Sequence, residues 1–141
     1  MSDQLYQERI VALAKAKTGA GKLASPTRSA RRDNPLCGDR VTIDIRLDDS
    51  GHIVEMAHQV RGCLLCQASA SALSSVAVGR DSAGIAELRH EAERAIGREE
   101  GEAGEPFSAF TPLRAHKARQ ECVLLPFEAL RDALSYTNPL K

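Results

Sequence analysis

Five side chains in this sequence are of the kind that binds soft metal ions or carries sulfur: Cys37, Asp39, Cys63, Cys66 and Cys122. Only Gly38 separates Cys37 from Asp39. In extended chain, residues i and i+2 point the same way, so that thiolate and carboxylate can reach one ion. Cys63 follows Arg61-Gly62 and precedes the small-residue run Gln67-Ala68-Ser69-Ala70-Ser71-Ala72. An extended segment therefore ends where a helix begins. A thiol at that point lies beside unpaired backbone N–H groups and the positive end of a helix dipole, which favour the thiolate. Cys122 also precedes a helical pattern, with Leu130 and Leu134 on one stripe. Pro126 is tolerable in a first turn, so this last helix is expected to begin near Val123 to Leu125. Zinc accepts sulfur and carboxylate oxygen, and iron–sulfur clusters are held chiefly by thiolates. Cys37, Asp39, Cys63 and Cys122 would form a four-ligand set from three places in the chain. Their spacing is not a paired C-x-x-C zinc pattern, so the residues alone leave two readings: a shared site, or buried unreactive cysteines.

Cys66 lies one helical turn from Cys63. It is read first as a small core residue, and alternatively as a redox partner of Cys63 or a spare ligand. A C-x-x-C at a helix start is a thioredoxin-like signal, but the βαβ context of that fold is absent. His58, alone on a strand face, is expected to be a satisfied structural residue. Serines and histidines are present without any local arrangement that suggests hydrolysis.

The elements that must position these residues follow from pattern. Residues 3–17 place Tyr6, Ile10 and Leu13 on one helical stripe, ended by Thr18-Gly19-Ala20-Gly21. Residues 22–36, with Pro26, Pro35 and three arginines, read as an irregular surface loop that delivers Cys37. Val41, Ile43, Ile45 and Leu47 alternate strictly with polar residues and mark the clearest strand. Asp48-Asp49-Ser50-Gly51 turns it into a return strand over 52–60, with Val54, Met56, His58 and Val60 on one face. A tightly packed helix of small residues follows Cys63 and closes at Gly79. The next is capped by Asp81 or Ser82 and has Ile85, Leu88, Ala92 and Ile96 inside, with Glu87, Arg89, Glu91 and Glu93 on a solvated face. Residues 97–110, rich in Gly, Glu and Pro, read as a flexible excursion.

At 141 residues, 1–141 is most simply one domain with a real core, and with few aromatics that core rests on Leu, Ile, Val and Ala. Lysine plus arginine equals aspartate plus glutamate at 19 each, which argues against a dominant nucleic-acid or anionic-membrane surface. No stretch is long enough to span a membrane, and residues 1–9 lack the apolar run of a secretion signal. Four cysteines in such a chain point to reduced thiols, metal binding or catalysis in the cytoplasm.

Three motifs occur in order: Cys37-Gly38-Asp39 before a hairpin, Gly62-Cys63 before an Ala/Ser helix, and Ala118-Arg119-Gln120-Glu121-Cys122 before the last helix. With the Leu5-Tyr6 helix, they make nearly the whole chain resemble iron–sulfur cluster assembly scaffolds of the IscU/NifU N-terminal type, most closely the SufU branch. The long segment between Cys63 and Cys122 resembles the insertion typical of that branch. The resemblance implies an α+β fold in which a small antiparallel sheet packs against several helices. It implies a metal or cluster site at Cys37, Asp39, Cys63 and Cys122 holding zinc or a transient [2Fe–2S] cluster. It further implies a cysteine desulfurase as sulfur donor and apo iron–sulfur proteins as recipients, with Cys37 as persulfide acceptor and Cys122 as the alternative. The protein would be a scaffold or zinc-dependent sulfur-transfer partner more than an independent enzyme. Glu121 stands where IscU members carry histidine, and their Leu-Pro-Pro-Val-Lys segment is not visible, so the SufU-like form is favoured. Arg119 is read as neutralising the site or as a plain surface arginine, and Glu121 as its salt-bridge partner or an occasional oxygen ligand. Two other functions compete: a thiol–disulfide protein using Cys63 and Cys66, and a structural zinc module that binds partners through Arg28 to Arg32.

Overall fold

The strictest alternation in the sequence forms the central strand of a three-stranded antiparallel sheet. The computed structural model describes residues 2–35 and 38–135, and backbone alone for residues 2–6. Strand β2 (Asp39–Leu47) buries Val41, Ile43 and Ile45 completely. It is flanked by β1 (Arg28–Asn34) on one side and β3 (Ile53–Arg61) on the other. Between β2 and β3, Asp48 Oδ1 accepts the N–H groups of Ser50 and His52, both at 2.9 Å, which fixes the expected turn.

Strand β1 corrects the loop expected over residues 22–36. Its inward positions include Arg28 and Arg32, so it carries no apolar alternation to reveal it. Their stems lie against the last helix while their heads reach its polar groups. Arg28 Nη1 donates to the Leu134 carbonyl at 2.9 Å, and Arg32 Nη1 to Asp132 Oδ2 at 2.9 Å. Strand β3 departs in phase. Leu47 pairs with Ile53 but Arg46 with Glu55, so Val54 is an extra residue in the ladder. This bulge turns Val54 outward and Ile53 inward, while Met56 and His58 keep the expected buried face.

Among the described residues four α-helices pack against the sheet and one another: α1 (Ser2–Ala16), α2 (Leu64–Ala77), α3 (Ser82–Ala95) and α4 (Gln120–Ser135). On α1, Ile10 is buried and Leu13 half-buried; the side chain of Tyr6 lies outside the described residues. The small residues of α2 let it approach α1 and α4 closely, and Ser69 Oγ donates to the Val123 carbonyl at 2.5 Å. Asp81 caps α3 by accepting the Gly84 N–H at 3.0 Å, and Ile85, Leu88, Ala92 and Ile96 are buried as the periodicity requires. Arg89 is not merely solvated: its Nη2 reaches Glu128 Oε2 of α4 at 3.3 Å.

The segment over 97–110 is no flexible appendage. A 3₁₀ helix (Phe107–Ala115) buries Phe107, Phe110 and Leu113, and the Phe107 ring meets Phe127 of α4 at a centroid distance of 5.5 Å. Two of the chain's three phenylalanines thus enter the core from a stretch whose Gly, Glu and Pro disguise it. Helix α4 also begins earlier than expected, at Gln120, after a short 3₁₀ turn over Lys117–Arg119. Cys122 therefore sits within its first turn. Pro126 is interior, and since it has no N–H it cannot supply the usual helical bond to the Cys122 carbonyl.

His58 is structural, as expected. Its Nε2–H donates to the Thr18 carbonyl at 2.8 Å, while buried Nδ1 has no hydrogen-bond partner among the described residues. Burial holds its pKa below the ordinary imidazole value. The unfolded chain then takes up a proton near pH 6.5 that the folded chain refuses. Stability is greatest above that pH and falls as pH drops through the interval between the unfolded and folded pKa. The slope there is at most about 1.4 kcal/mol per pH unit. Melting temperatures measured from pH 7.5 to 5 should decline accordingly, and the decline should shrink in His58→Asn.

Candidate metal centre

Three elements meet at one end of the sheet, and each brings a ligand-bearing residue. Asp39 opens β2, Cys63 is the N-cap of α2 immediately after β3, and Cys122 lies in the first turn of α4. A carboxylate oxygen of Asp39 and the two sulfurs all lie within 4.8 Å of one another. Asp39 and Cys122 are buried and Cys63 is half-buried, so the group opens to solvent on the Cys63 side.

Asp39 holds the geometry together. Its Oδ1 accepts the Cys63 N–H at 3.0 Å, and its Oδ2 accepts the Cys63 S–H at 3.3 Å. The Cys63 side chain makes no cap bond of its own, so a carboxylate from a neighbouring strand caps α2 in its place. Such an approach needs Gly62. A Cβ built on Gly62 would stand 2.6 Å from the Asp39 Cγ, well inside contact distance. Gly62→Ala is therefore expected to push the carboxylate away and lose its bond to Cys63 N–H. That should cost about 1–3 kcal/mol in stability and about tenfold or more in metal affinity. Thermal denaturation and a zinc–chelator competition would measure the two effects.

Arg119 closes the group. Hydrogen bonds to Cys63 first, and then to Cys122, with the charge of both sulfurs adding, raise the pKa of its guanidinium above the ordinary value. The arginine therefore sets a permanent positive charge beside two sulfurs. Glu121 does not pair with it. Its Oε2 accepts from Arg98 Nη2 at 2.9 Å, and Arg98 Nε donates to Gln120 Oε1 at 2.9 Å. Arg98, in the segment that looked featureless, had no sequence signal to mark it.

Cys66 lies apart from this group, completely buried in the hydrophobic core. Cys37 lies outside the described residues. Its neighbours Pro35 and Gly38 line a cleft of about 630 Å³ together with Arg61 and Cys63, and the Gly38 N–H donates to the Asn34 carbonyl at 2.8 Å. A second cleft, of about 640 Å³, runs past Leu64, Leu113, His116 and Arg119. The first cleft reaches Asp39 and Cys63 themselves, and the second reaches only Arg119 beside them. Elsewhere, His90, Glu93 and Glu99 also cluster, but there the charges pair with one another and with Arg94 at the surface.

The donor chemistry suits a thiophilic ion: two sulfurs and one carboxylate at bonding reach, with a cation to offset their charge. Among the described residues no helix is long and apolar enough to cross a membrane.

Residues 5–106 match the family model described as the NifU-like N terminal domain. The chain is 29% identical over 132 residues to the iron–sulfur cluster assembly scaffold protein IscU of Thermotoga maritima, covering 92% of each. Its fold is similar to a nitrogen-fixing NifU-like protein (N-terminal) from Brucella abortus, at TM-score 0.82 and 32% identity over 94% of this chain and 93% of that one. It is also similar to a putative iron–sulfur cluster assembly scaffold protein for the SUF system from Fervidobacterium islandicum. There the TM-score is 0.83 and the identity 27%, over 96% of this chain and 100% of the other.

Proposed function

The chain belongs to the NifU-like N-terminal domain family, and on that premise we propose that it is a cytoplasmic iron–sulfur cluster assembly protein. It receives sulfur from a cysteine desulfurase and builds a transient [2Fe–2S] cluster for apo iron–sulfur proteins. The observation that carries this reading is the convergence of Asp39, Cys63 and Cys122 from three separate elements within reach of one ion. Cys37 is assigned as the fourth ligand and as the sulfur acceptor.

Sulfur transfer needs no net oxidation. The acceptor thiolate attacks the terminal sulfur of the donor's persulfide, the donor S–S bond breaks, and the donor leaves as a thiolate. Cys122 is buried and so is the poorer acceptor. Asp39 is a base beside the Cys63 S–H, and Arg119 stabilises negative sulfur as the proton leaves. Each transferred sulfur must then take up two electrons, from an external thiol or an electron-carrier protein, before it becomes cluster sulfide. The same four residues would hold zinc, which when bound keeps the thiols in their deprotonated form.

The test is radiolabelled sulfur transfer from a cysteine desulfurase acting on cysteine, followed by anaerobic reconstitution with ferrous iron and a thiol. Label should reach the chain as a reductant-sensitive persulfide, and visible absorption should develop with iron. Cys37→Ala should lose the label, while Cys66→Ala should keep both. If Cys66→Ala instead lost activity while Cys37→Ala and Cys122→Ala kept it, a thiol–disulfide function would replace this reading. Unfolding on chelation with no label transferred would point to a structural zinc module.

A further inference from the structure

We infer that Arg98 is a positioning residue for the metal centre, acting through the two residues that separate Arg119 from Cys122. The inference rests on the reading of Asp39, Cys63 and Cys122 as a metal site. One edge of the Arg98 guanidinium grips both intervening side chains: Nε donates to Gln120 Oε1 and Nη2 to Glu121 Oε2, each at 2.9 Å. Arg98 is itself anchored, since its backbone N–H donates to the Glu93 carbonyl at 2.8 Å behind α3.

Gln120 completes the latch. It is buried, and its Nε2 donates to the carbonyls of Ile96 and Leu113, both at 2.9 Å. With both N–H donors committed to carbonyls, the amide orientation is determined and Oε1 must face the guanidinium. The start of α4 is therefore tied to the end of α3 and to the 3₁₀ segment at once. Arg119 and Cys122, on either side of the gripped pair, inherit that placement. The geometry also gives Glu121 a cation of its own. Without Arg98, its carboxylate would stand next in sequence to Cys122 with nothing to offset it, and would draw on Arg119. Partners that orient metal ligands typically change affinity by about 10–100-fold when removed.

Arg114 supplies the control. Its Nε and Nη2 donate to the carbonyls of Ala95 and Arg94, both at 3.0 Å, so its guanidinium closes the same helix end by bonds to α3 and not by the grip on Gln120 and Glu121. A general loosening of this region would follow from either substitution; a change at the metal would follow from Arg98 alone.

The experiment is an anaerobic cobalt titration of the full chain, reading thiolate-to-cobalt and d–d absorption, with zinc affinity from chelator competition. The wild type should bind with thiolate bands. Arg98→Met should weaken zinc by about tenfold or more and alter the d–d envelope. Arg98→Lys, which keeps the charge but not the two-pronged grip, should recover part of the loss and also serves if Arg98→Met folds poorly. Arg114→Met should leave affinity and spectrum unchanged even where its melting temperature falls. An Arg98→Met protein with wild-type affinity and spectrum overturns the inference, as does an equal loss in Arg114→Met. A wild type without thiolate–cobalt bands overturns the metal reading itself and this inference with it.

Discussion

Cys63→Ser should lose about 100-fold in zinc affinity and yet fold at least as well as the wild type. Four-ligand zinc sites release roughly 10–16 kcal/mol on binding, so one thiolate accounts for about 3 kcal/mol, or two orders of magnitude. Stability should move the other way. Cys63 is the N-cap of α2 and its side chain makes no cap bond, whereas serine is among the best N-cap residues. Its side chain is only partly buried, at the edge of the core and not within it. Metal analysis after anaerobic purification, with urea denaturation of the metal-free form, separates the effects. The neighbouring Cys66→Ser should show the reverse: metal retained, and about 1–3 kcal/mol of stability lost to a hydroxyl in an apolar interior. Wild-type zinc content in Cys63→Ser would remove that residue from the site.

Phe107→Ala should be the most destabilising single truncation in the segment over 97–115, costing about 3–5 kcal/mol. Its ring is completely buried and meets Phe127 at a tilt of 55°. Since α4 carries both Phe127 and Cys122, the loss should also blur the metal site. The midpoint of urea denaturation would fall, and zinc affinity with it. A cost under about 1 kcal/mol, within the usual range of surface substitutions, would mean that this segment is attached to the core without supporting it.

Regular local patterns were legible wherever burial followed a helical or strand period. Val41, Ile43 and Ile45 announced β2, the Ile85–Ile96 series announced α3, and Asp48 to Gly51 announced the turn between strands. The motifs around Asp39, Cys63 and Cys122, each next to the start or end of an element, pointed to three residues that the fold brings together, while Cys37 lies outside the described residues. Reading failed where a residue's role depends on something distant. β1 has arginines at inward positions because α4 supplies acids and carbonyls for them, and nothing near Arg28 or Arg32 in the chain reveals that helix. The bulge that turns Val54 outward arises from pairing with β2 and leaves no mark in the hydropathy of β3.

The same division runs through the site. Ligand identity is a property of residue type and neighbours, because thiolate and carboxylate chemistry and helix ends are local matters. Whether the atoms meet depends on chain path. Asp39 approaches Cys63 because β2 and β3 pair in one register and Gly62 leaves room. Cys66, one turn from Cys63, faces the core because the packing of α2 sends it there. Glu121 turned to Arg98 rather than to its near neighbour Arg119 because the fold brings the end of α3 to the start of α4. Sequence proximity offered the nearer partner, and three-dimensional packing supplied the one that both charge and geometry could satisfy.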